Sequence, residues 1–372
     1  MRKTILVLED SRKVGFGGGQ KGSLEMIQAL MPCFNLIITD SVANSRFAQG
    51  ASQRTGSPVV LLRSFGKIVN GDKASFSIGP LEILLFPLLT LWNLGRLYLL
   101  LRSSKLQATN CILYAPSKKT LVLAWTLAKV TGIPLVYHAR NFDNRNSIFF
   151  KPLEWILRET KLVICVSKAV LQNLQAPQGI HLYNPIRLQN STKPKSIEGK
   201  SPIIVAAFAS LLPWKGLEYL IQAHSQLKFP EKVRIWIFGT GPELSKLTQL
   251  ASPGVELKGF TDQVDSLLRD QIDLICMPSI SEEAFGRVPM EGYSFGIPAI
   301  VTNIGAQAEI TLDGETGVLV PVQNATAIAD AVDHFLQNPQ LYATMSANAL
   351  RRAQEFDLNA FERKVREIFQ NL

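Results

Sequence analysis

Cysteine and histidine are scarce in this chain, with four of each in 372 residues. Cys33, Cys111, Cys165 and Cys276 form no C-x-x-C pair, so they read as buried thiols of a reducing compartment rather than as a disulfide framework. The histidines form no H-E-x-x-H, and no metal site is expected. The N-terminal MRKTILVLED has an apolar run too short for a secretory signal and reads as a first strand, so a cytoplasmic location is expected. Internal repeats of solenoid length and low-complexity tracts are also missing. Acidic residues are thin in the first half. Residues 1–200 hold 26 Lys and Arg against 10 Asp and Glu, a net +16, whereas 201–372 hold 13 against 20, a net −7. The two halves are therefore expected to do different jobs, the first facing something anionic.

What is present is a globular composition, 47% hydrophobic and 19% charged, in a length that fits two domains. Short β-branched runs recur: TILVL (4–8), NLIIT (35–39), PVVLL (58–62), CILYA (111–115), PLVYH (134–138), KLVICV (161–166) and IHLY (180–183). The second half adds PIIVAAF (202–208), VRIWIFG (233–239), VELKG (255–259), DLICMP (273–278), PAIVT (298–302) and GVLVP (317–321). Continuously apolar strands are buried on both faces, as in parallel sheets covered by helices. The alternation with longer helical segments is a βαβ pattern that occurs twice, broken by the polar stretch LQNSTKPKSIEGKSP (188–202). One segment stands apart. PLEILLFPLLTLWNLGRLYLLL (80–101) approaches the length of a membrane span but is interrupted by Glu82, Pro87, Asn93 and Arg96. It reads as a helix buried on the first sheet or as an element lying on a membrane surface.

Four motifs can carry chemistry. VGFGGGQKG (14–22) satisfies G-x-G-x-x-G through Gly17, Gly19 and Gly22, and Asp40 follows the next strand. That resembles a dinucleotide fingerprint, but eight residues separate the glycines from the first strand, so a loop cradling a diphosphate at the head of the next helix is the better expectation. EEAFGRVPME (282–291) spaces Glu283 and Glu291 across a strand-to-helix turn, where carboxylates can accept hydrogen bonds from vicinal hydroxyls and Gly286 admits close approach to the backbone. LLPWKGLEYLI (211–221) is expected to place Lys215 at the start of an amphipathic helix, unfavourable unless an anion such as phosphate sits between them. YHARNF (137–142) is expected to point His138 and Arg140 to one side at the end of a strand.

Taken together these segments resemble the retaining family-four glycosyltransferases of the GT-B fold, and the resemblance runs through nearly the whole chain. EEAFGRVPMEGYSFGIPAIVTNIGAQAEI (282–310) matches that family's E-x7-E segment; FGTGPEL, VELKGFTDQVDSLL, KLVICVSKAV and HLYNPI match its further landmarks. The resemblance implies an α/β protein of two Rossmann-like domains facing a central cleft. An acceptor-binding domain is expected over 1–190, completed by a C-terminal helix at 356–372 that crosses back to it, and a nucleotide-sugar-binding domain over 200–355. It implies a catalytic set of His138, Lys215 and Glu283. Lys215 would neutralise the diphosphate, Glu283 with the backbone at Phe285 and Gly286 would hold the donor sugar, and Glu291 the ribose hydroxyls. Gly18 and Gly19 would lie under the diphosphate or acceptor, with Gly241 and Gly259 lining the donor site. The family commonly carries an arginine where this chain has Ser210, so Arg287 or Arg140 is expected to substitute, and the family's second glycine after the next strand is Ala306. No cofactor and no nucleic-acid partner are expected. The expected activity is transfer of a sugar from a UDP- or GDP-sugar in polysaccharide or glycolipid assembly. The acceptor would be a saccharide or lipid-linked, with peripheral contact to an anionic membrane at the inner face of the cytoplasmic membrane. The competing expectations are a nucleotide-sugar-binding protein without turnover, prompted by Ser210, and an NAD-dependent dehydrogenase, prompted by Asp40.

Overall fold

Each apolar run becomes a strand, and those at the centre of the sheets have their side chains covered on both sides. The computed structural model describes residues 2–11, 18–42, 45–63, 80–148, 150–189 and 193–372, and side chains of the helix starting at Pro80 are described from Pro87 onward. Of the glycine-rich stretch, residues 14–17 lie outside the described residues, while Gly18 and Gly19 open the helix Gly18–Leu30.

Contacts divide the chain into two compact units, one of Met1–Tyr183 with Asn359–Leu372, the other of Asn184–Leu358. The first holds β1 (Thr4–Leu8), β2 (Asn35–Asp40), β3 (Val60–Leu61), β4 (Cys111–Ala115), β5 (Leu135–Ala139), β6 (Leu162–Cys165) and β7 (Gly179–His181). All pair in parallel, in the order β3-β2-β1-β4-β5-β6-β7. In the centre of the sheet Ile5 lies beside Leu36 and Ile112, and β1, β4 and β5 are buried along their whole length. The helix Leu358–Gln370 belongs almost wholly to this unit. Phe361, Val365 and Phe369 recur every fourth residue and form its buried stripe. Phe369 meets Phe34 and Tyr114 edge-on, with centroids 6.3 and 5.9 Å apart, and Gln28 donates to Glu362 at 2.9 Å.

The helix Pro80–Ser103 settles the two readings of its apolar segment. Only Asn93, Leu97 and Leu101 are buried among its described side chains, again at a spacing of four, and Asn93 bonds both the N–H and the C=O of Arg63. Leu88, Leu91, Trp92 and Leu99 are more than half exposed. Over its described side chains the segment is therefore not a buried helix; it docks by one narrow stripe and turns Leu88, Leu91, Trp92, Tyr98 and Leu99 outward. Among the described residues no helix is long and apolar enough to cross a membrane.

The second unit repeats the plan with β8 (Ile203–Phe208), β9 (Val233–Phe238), β10 (Val255–Gly259), β11 (Leu274–Met277), β12 (Ala299–Thr302) and β13 (Gly317–Val320), all parallel, in the order β10-β9-β8-β11-β12-β13. The polar stretch 188–202 lies within this unit. Ile197 is in its core, and Lys195 Nζ donates to the carbonyls of Leu268 and Ile272 at 2.6 and 3.0 Å. In both units the strand order reverses beside the first strand, so the loops at the carboxyl ends of β1 and β4, and of β8 and β11, flank the crevice where open α/β sheets take ligands.

Candidate active site

In the second unit the loops after β8, β9, β11 and β12 interlock through backbone bonds. Leu211 N donates to Thr240 O at 2.9 Å, Ile280 N to Trp214 O at 2.9 Å, and Ala306 N to Glu283 O at 2.9 Å. Two glycines make this packing possible. A Cβ on Gly216, which has a φ of +61°, would lie 2.2 Å from Pro278 O; one on Gly305, at +58°, would lie 2.8 Å from the backbone N and O of Glu283. Ala306 is buried and supports the same loop through its N–H, so a methyl there is accommodated.

Lys215 ends the 3-10 turn Pro213–Lys215 and is separated by the cap Gly216 from the helix Leu217–His224, rather than opening that helix. The anion expected beside it is present in the protein itself: Lys215 Nζ is paired with Glu283 Oε1. Both side chains are about one-fifth exposed, at 21% and 19%. Ser279 Oγ donates to the same carboxylate oxygen at 2.7 Å, and Thr302 and Gln307 brace Ser279 from behind in a chain of 2.6 and 2.9 Å bonds. Gly286 precedes the helix Arg287–Tyr293 in a left-handed conformation, against Met277. Phe285 is buried and meets Phe356 edge-on. In the helix, Arg287 lies 3.7 Å from Glu291, four residues further on, and donates to Pro185 O at 3.1 Å. Gly241 lies against the backbone of Leu211, Gly259 ends β10, and Ser210 is exposed after β8.

In the first unit His138 and Arg140 do share one side of the end of β5, and they touch. Arg140 Nη2 lies 3.2 Å from His138 Nδ1, which also receives Tyr114 Oη at 2.7 Å. The guanidinium further donates to Tyr114 Oη at 3.3 Å, to Ser23 Oγ at 2.8 Å and to the carbonyl of Gly19. Ser23 in turn donates to the Glu9 carboxylate at 2.6 Å. Burial raises the Glu9 carboxyl above the usual range, opposed by the Ser23 bond and the Arg140 charge. Burial, and then the Arg140 charge, lowers His138 well below an ordinary imidazole, so it is neutral at pH 7. Arg140 is thus engaged inside its own unit, which leaves Arg287 as the arginine built beside the donor-binding candidates.

Sequence reasoning missed Glu9, Ser23, Tyr114, Ser279 and Gln307. Glu9 and Ser279 are polar side chains within two residues of the end of an apolar strand, a position that could have flagged them; Tyr114 lies inside β4, and Ser23 and Gln307 lie in helices. Asp40, the carboxylate behind the dehydrogenase expectation, is fully buried. Its Oδ1 accepts from the N–H of Ser11 and Ser41 at 2.8 and 2.7 Å, and its Oδ2 from Ser11 Oγ and Ser45 Oγ at 2.8 and 2.5 Å. Four donors occupy the lone pairs a ribose would need, so the residue caps a loop and does not bind a nucleotide.

The fold is that of the GT-B glycosyltransferases. The chain overlays the Anabaena protein HepE, solved in complex with UDP, with a TM-score of 0.78 over 100% of both chains at 21% identity. It overlays sucrose-phosphate synthase from Thermosynechococcus elongatus with a TM-score of 0.78 over 100% of this chain and 99% of the other at 16% identity. Residues 189–352, which lie in the second unit, match the family of glycosyl transferases group 1. Among curated relatives, a phosphatidyl-myo-inositol mannosyltransferase of Mycolicibacterium smegmatis is 28% identical over 47% of this chain, and the match spans about half of that protein, 46%. An uncharacterized glycosyltransferase of Methanocaldococcus jannaschii is 27% identical over 61% of this chain and 65% of its own length.

Proposed function

We propose that the protein is a retaining glycosyltransferase that moves a sugar from a nucleotide-diphosphate sugar to an acceptor. The observation that carries this reading is the Lys215–Glu283 pair, held by Ser279 at the meeting of three loops inside the stretch that matches glycosyl transferases group 1. Cleaving the bond between the sugar and the diphosphate builds negative charge on the leaving group and positive charge on the ring. A lysine fixed beside that diphosphate stabilises the charge as it develops. Before the donor arrives Lys215 is neutralised by Glu283. An incoming diphosphate replaces that carboxylate as its partner, and Glu283 is released to accept hydrogen bonds from the sugar hydroxyls. Glu291 takes the ribose hydroxyls, and Arg287 supplies the second cation that Ser210 does not. The acceptor hydroxyl then attacks the anomeric carbon from the leaving-group face, its proton passing to the departing phosphate oxygen, which retains the configuration.

We extend this reading to an acceptor held at an anionic membrane surface. The first 200 residues carry +16, and the outward face of Pro80–Ser103 sets Leu88, Leu91, Trp92 and Leu99 among Arg63, Arg96, Arg102 and Lys105. Arg63 covers the Trp92 ring at 4.7 Å and Arg102 the Tyr98 ring at 6.0 Å, an arrangement of aromatic and basic groups suited to a headgroup layer. The name of the mycobacterial relative, a phosphatidyl-myo-inositol mannosyltransferase, states a lipid acceptor for that protein and lends the same support.

Incubation with radiolabelled UDP-glucose, GDP-mannose and related nucleotide sugars tests the activity. Transfer or slow hydrolysis is expected; binding with neither would make this a nucleotide-sugar-binding protein. Flotation with anionic liposomes tests the surface. The protein should float at low salt and partly release as salt rises, because surface charge is screened. Failure to float at any salt concentration would send the search to soluble acceptors.

A further inference from the structure

Arg352 stands in the last turn of the helix Pro339–Ala353, and only 10% of its side chain is exposed. A guanidinium taken out of water is unfavourable unless its donors are met. Nη2 donates to the carbonyl of Glu309 at 2.7 Å, and Nε to that of Ile310 at 3.3 Å. Those carbonyls close the one-turn helix Gln307–Ile310, so the cation supplies partners that the end of a helix lacks. Nη1 pairs with the exposed Glu355, and the guanidinium covers the Phe356 ring at 5.1 Å. Phe356 is fixed in turn. Its carbonyl accepts from Ile186 N at 2.8 Å, and its ring meets Phe285 edge-on with centroids 6.4 Å apart.

Both arms end on the segment that carries Glu283. On the first arm, the short helix that Arg352 holds at its back begins with Gln307, and Ala306 caps it. Gln307 donates to Thr302 and Thr302 to the carbonyl of Ser279, whose hydroxyl donates to the Glu283 carboxylate. The Ala306 N–H donates to the Glu283 carbonyl at 2.9 Å. On the second arm, Phe285 lies two residues beyond Glu283. We propose that Arg352 is a positioning residue that sets the orientation of Glu283 through the helix Gln307–Ile310 and through Phe356 and Phe285. The contact of Glu283 with a sugar rests on the transferase reading; the brace behind it does not. A guanidinium fork reaches two carbonyls while it stacks on a ring, and an ammonium cannot do both. Lysine at 352 therefore tests a partial loss and methionine the full one.

Hydrogen exchange on the ligand-free protein reads the brace. In Arg352→Met, peptides over 279–286 and the amide of Ala306 should exchange faster than in the wild type, while β8 and β9 exchange as before. Arg352→Lys should fall between, and Glu355→Gln, which alters only the exposed partner, should match the wild type. If the methionine variant does not fold, the lysine variant carries the comparison. Calorimetric titration then reads the consequence. In Arg352→Met, UDP-glucose should lose its advantage over UDP, and GDP-mannose over GDP, with the diphosphates themselves bound no more weakly, because Glu283 faces the sugar and not the nucleoside. In turnover kcat/KM should fall about ten- to a hundredfold, the range for a small displacement of a group beside the chemistry. Exchange unchanged at 279–286, or raised equally across the second unit, would overturn the proposal. So would equal weakening of diphosphate and nucleotide sugar. A wild type that binds no nucleotide sugar would strike the transferase reading instead, and exchange at 279–286 would still decide the brace.

Discussion

The two units share a strand order and handle charge in opposite ways. In the first, Glu9, Asp40 and His138 are 5%, 0% and 1% exposed; Glu9 and His138 are joined through Ser23, Arg140 and Tyr114, and Asp40 is held separately by Ser11, Ser41 and Ser45. In the second, Lys215 pairs with Glu283 and Arg287 with Glu291, and their side chains are 12–22% exposed. A pair on a rim can exchange one partner for a ligand at little cost, because water and the ligand compensate the released charge. A buried network cannot do so without leaving a polar group stranded. The comparison assigns exchange to the second unit and fixed orientation to the first.

The strongest way to break that assignment is to remove one charge of the exchangeable kind. Lys215→Ala should lower kcat for transfer by about 10² to 10³, roughly 2.7–4 kcal/mol, as for loss of a group aimed at developing negative charge. A loss no greater than that of His138→Leu would erase the distinction. Next in size is the scaffold of the pair. Gly216→Ala forces a methyl toward Pro278 O at a positive φ, and should cost the second unit about 1–3 kcal/mol in calorimetric unfolding. An unchanged melting profile would mean that the loop carrying Lys215 is free to move.

How much of this was readable beforehand follows the same division. The strands were legible because β-branched apolar runs bounded by polar residues leave little choice of conformation, and β1, β4 and β10 fall on the expected residues. Arg287 and Glu291 are a helical i,i+4 pair that spacing alone places together. Lys215 was displaced from its expected helix because Pro213 and Gly216 confine it to a 3-10 turn. The network of the first unit was not legible, since Glu9, Ser23, Tyr114 and Arg140 come from four segments joined only by sheet register. Nor was the exposure of the helix Pro80–Ser103, whose apolar composition hides a docking stripe of only three described residues.

Two smaller effects sharpen the comparison. Glu283→Gln removes the carboxylate that competes with a diphosphate for Lys215. Its affinity for UDP by calorimetric titration should rise by up to about tenfold, or ~1.4 kcal/mol, while transfer falls. Weaker UDP binding would argue against partner exchange. In the first unit the folded pKa of His138 lies below its unfolded value of about 6.5, with Arg140, Tyr114 and, through Ser23, Glu9 as the ionisable groups around it. The unfolded chain therefore binds the proton first, and stability present above pH 6.5 is lost on acidification. Denaturant unfolding should show about 1 kcal/mol lost between pH 6.5 and 5.5 from this group, and His138→Gln should remove that share. An equal slope in the variant would mean that the imidazole is solvated.

The return of the chain to its first unit has a consequence for biosynthesis. Phe369 closes the core against Phe34 and Tyr114, yet it leaves the ribosome after the whole of Asn184–Leu358 has been made. At about 5–20 residues per second the earlier-made half waits on the order of ten seconds or more for its last piece, and the later-made half is complete sooner. Until then the hydrophobic seat of that helix lacks the cover that Phe361, Val365 and Phe369 give it.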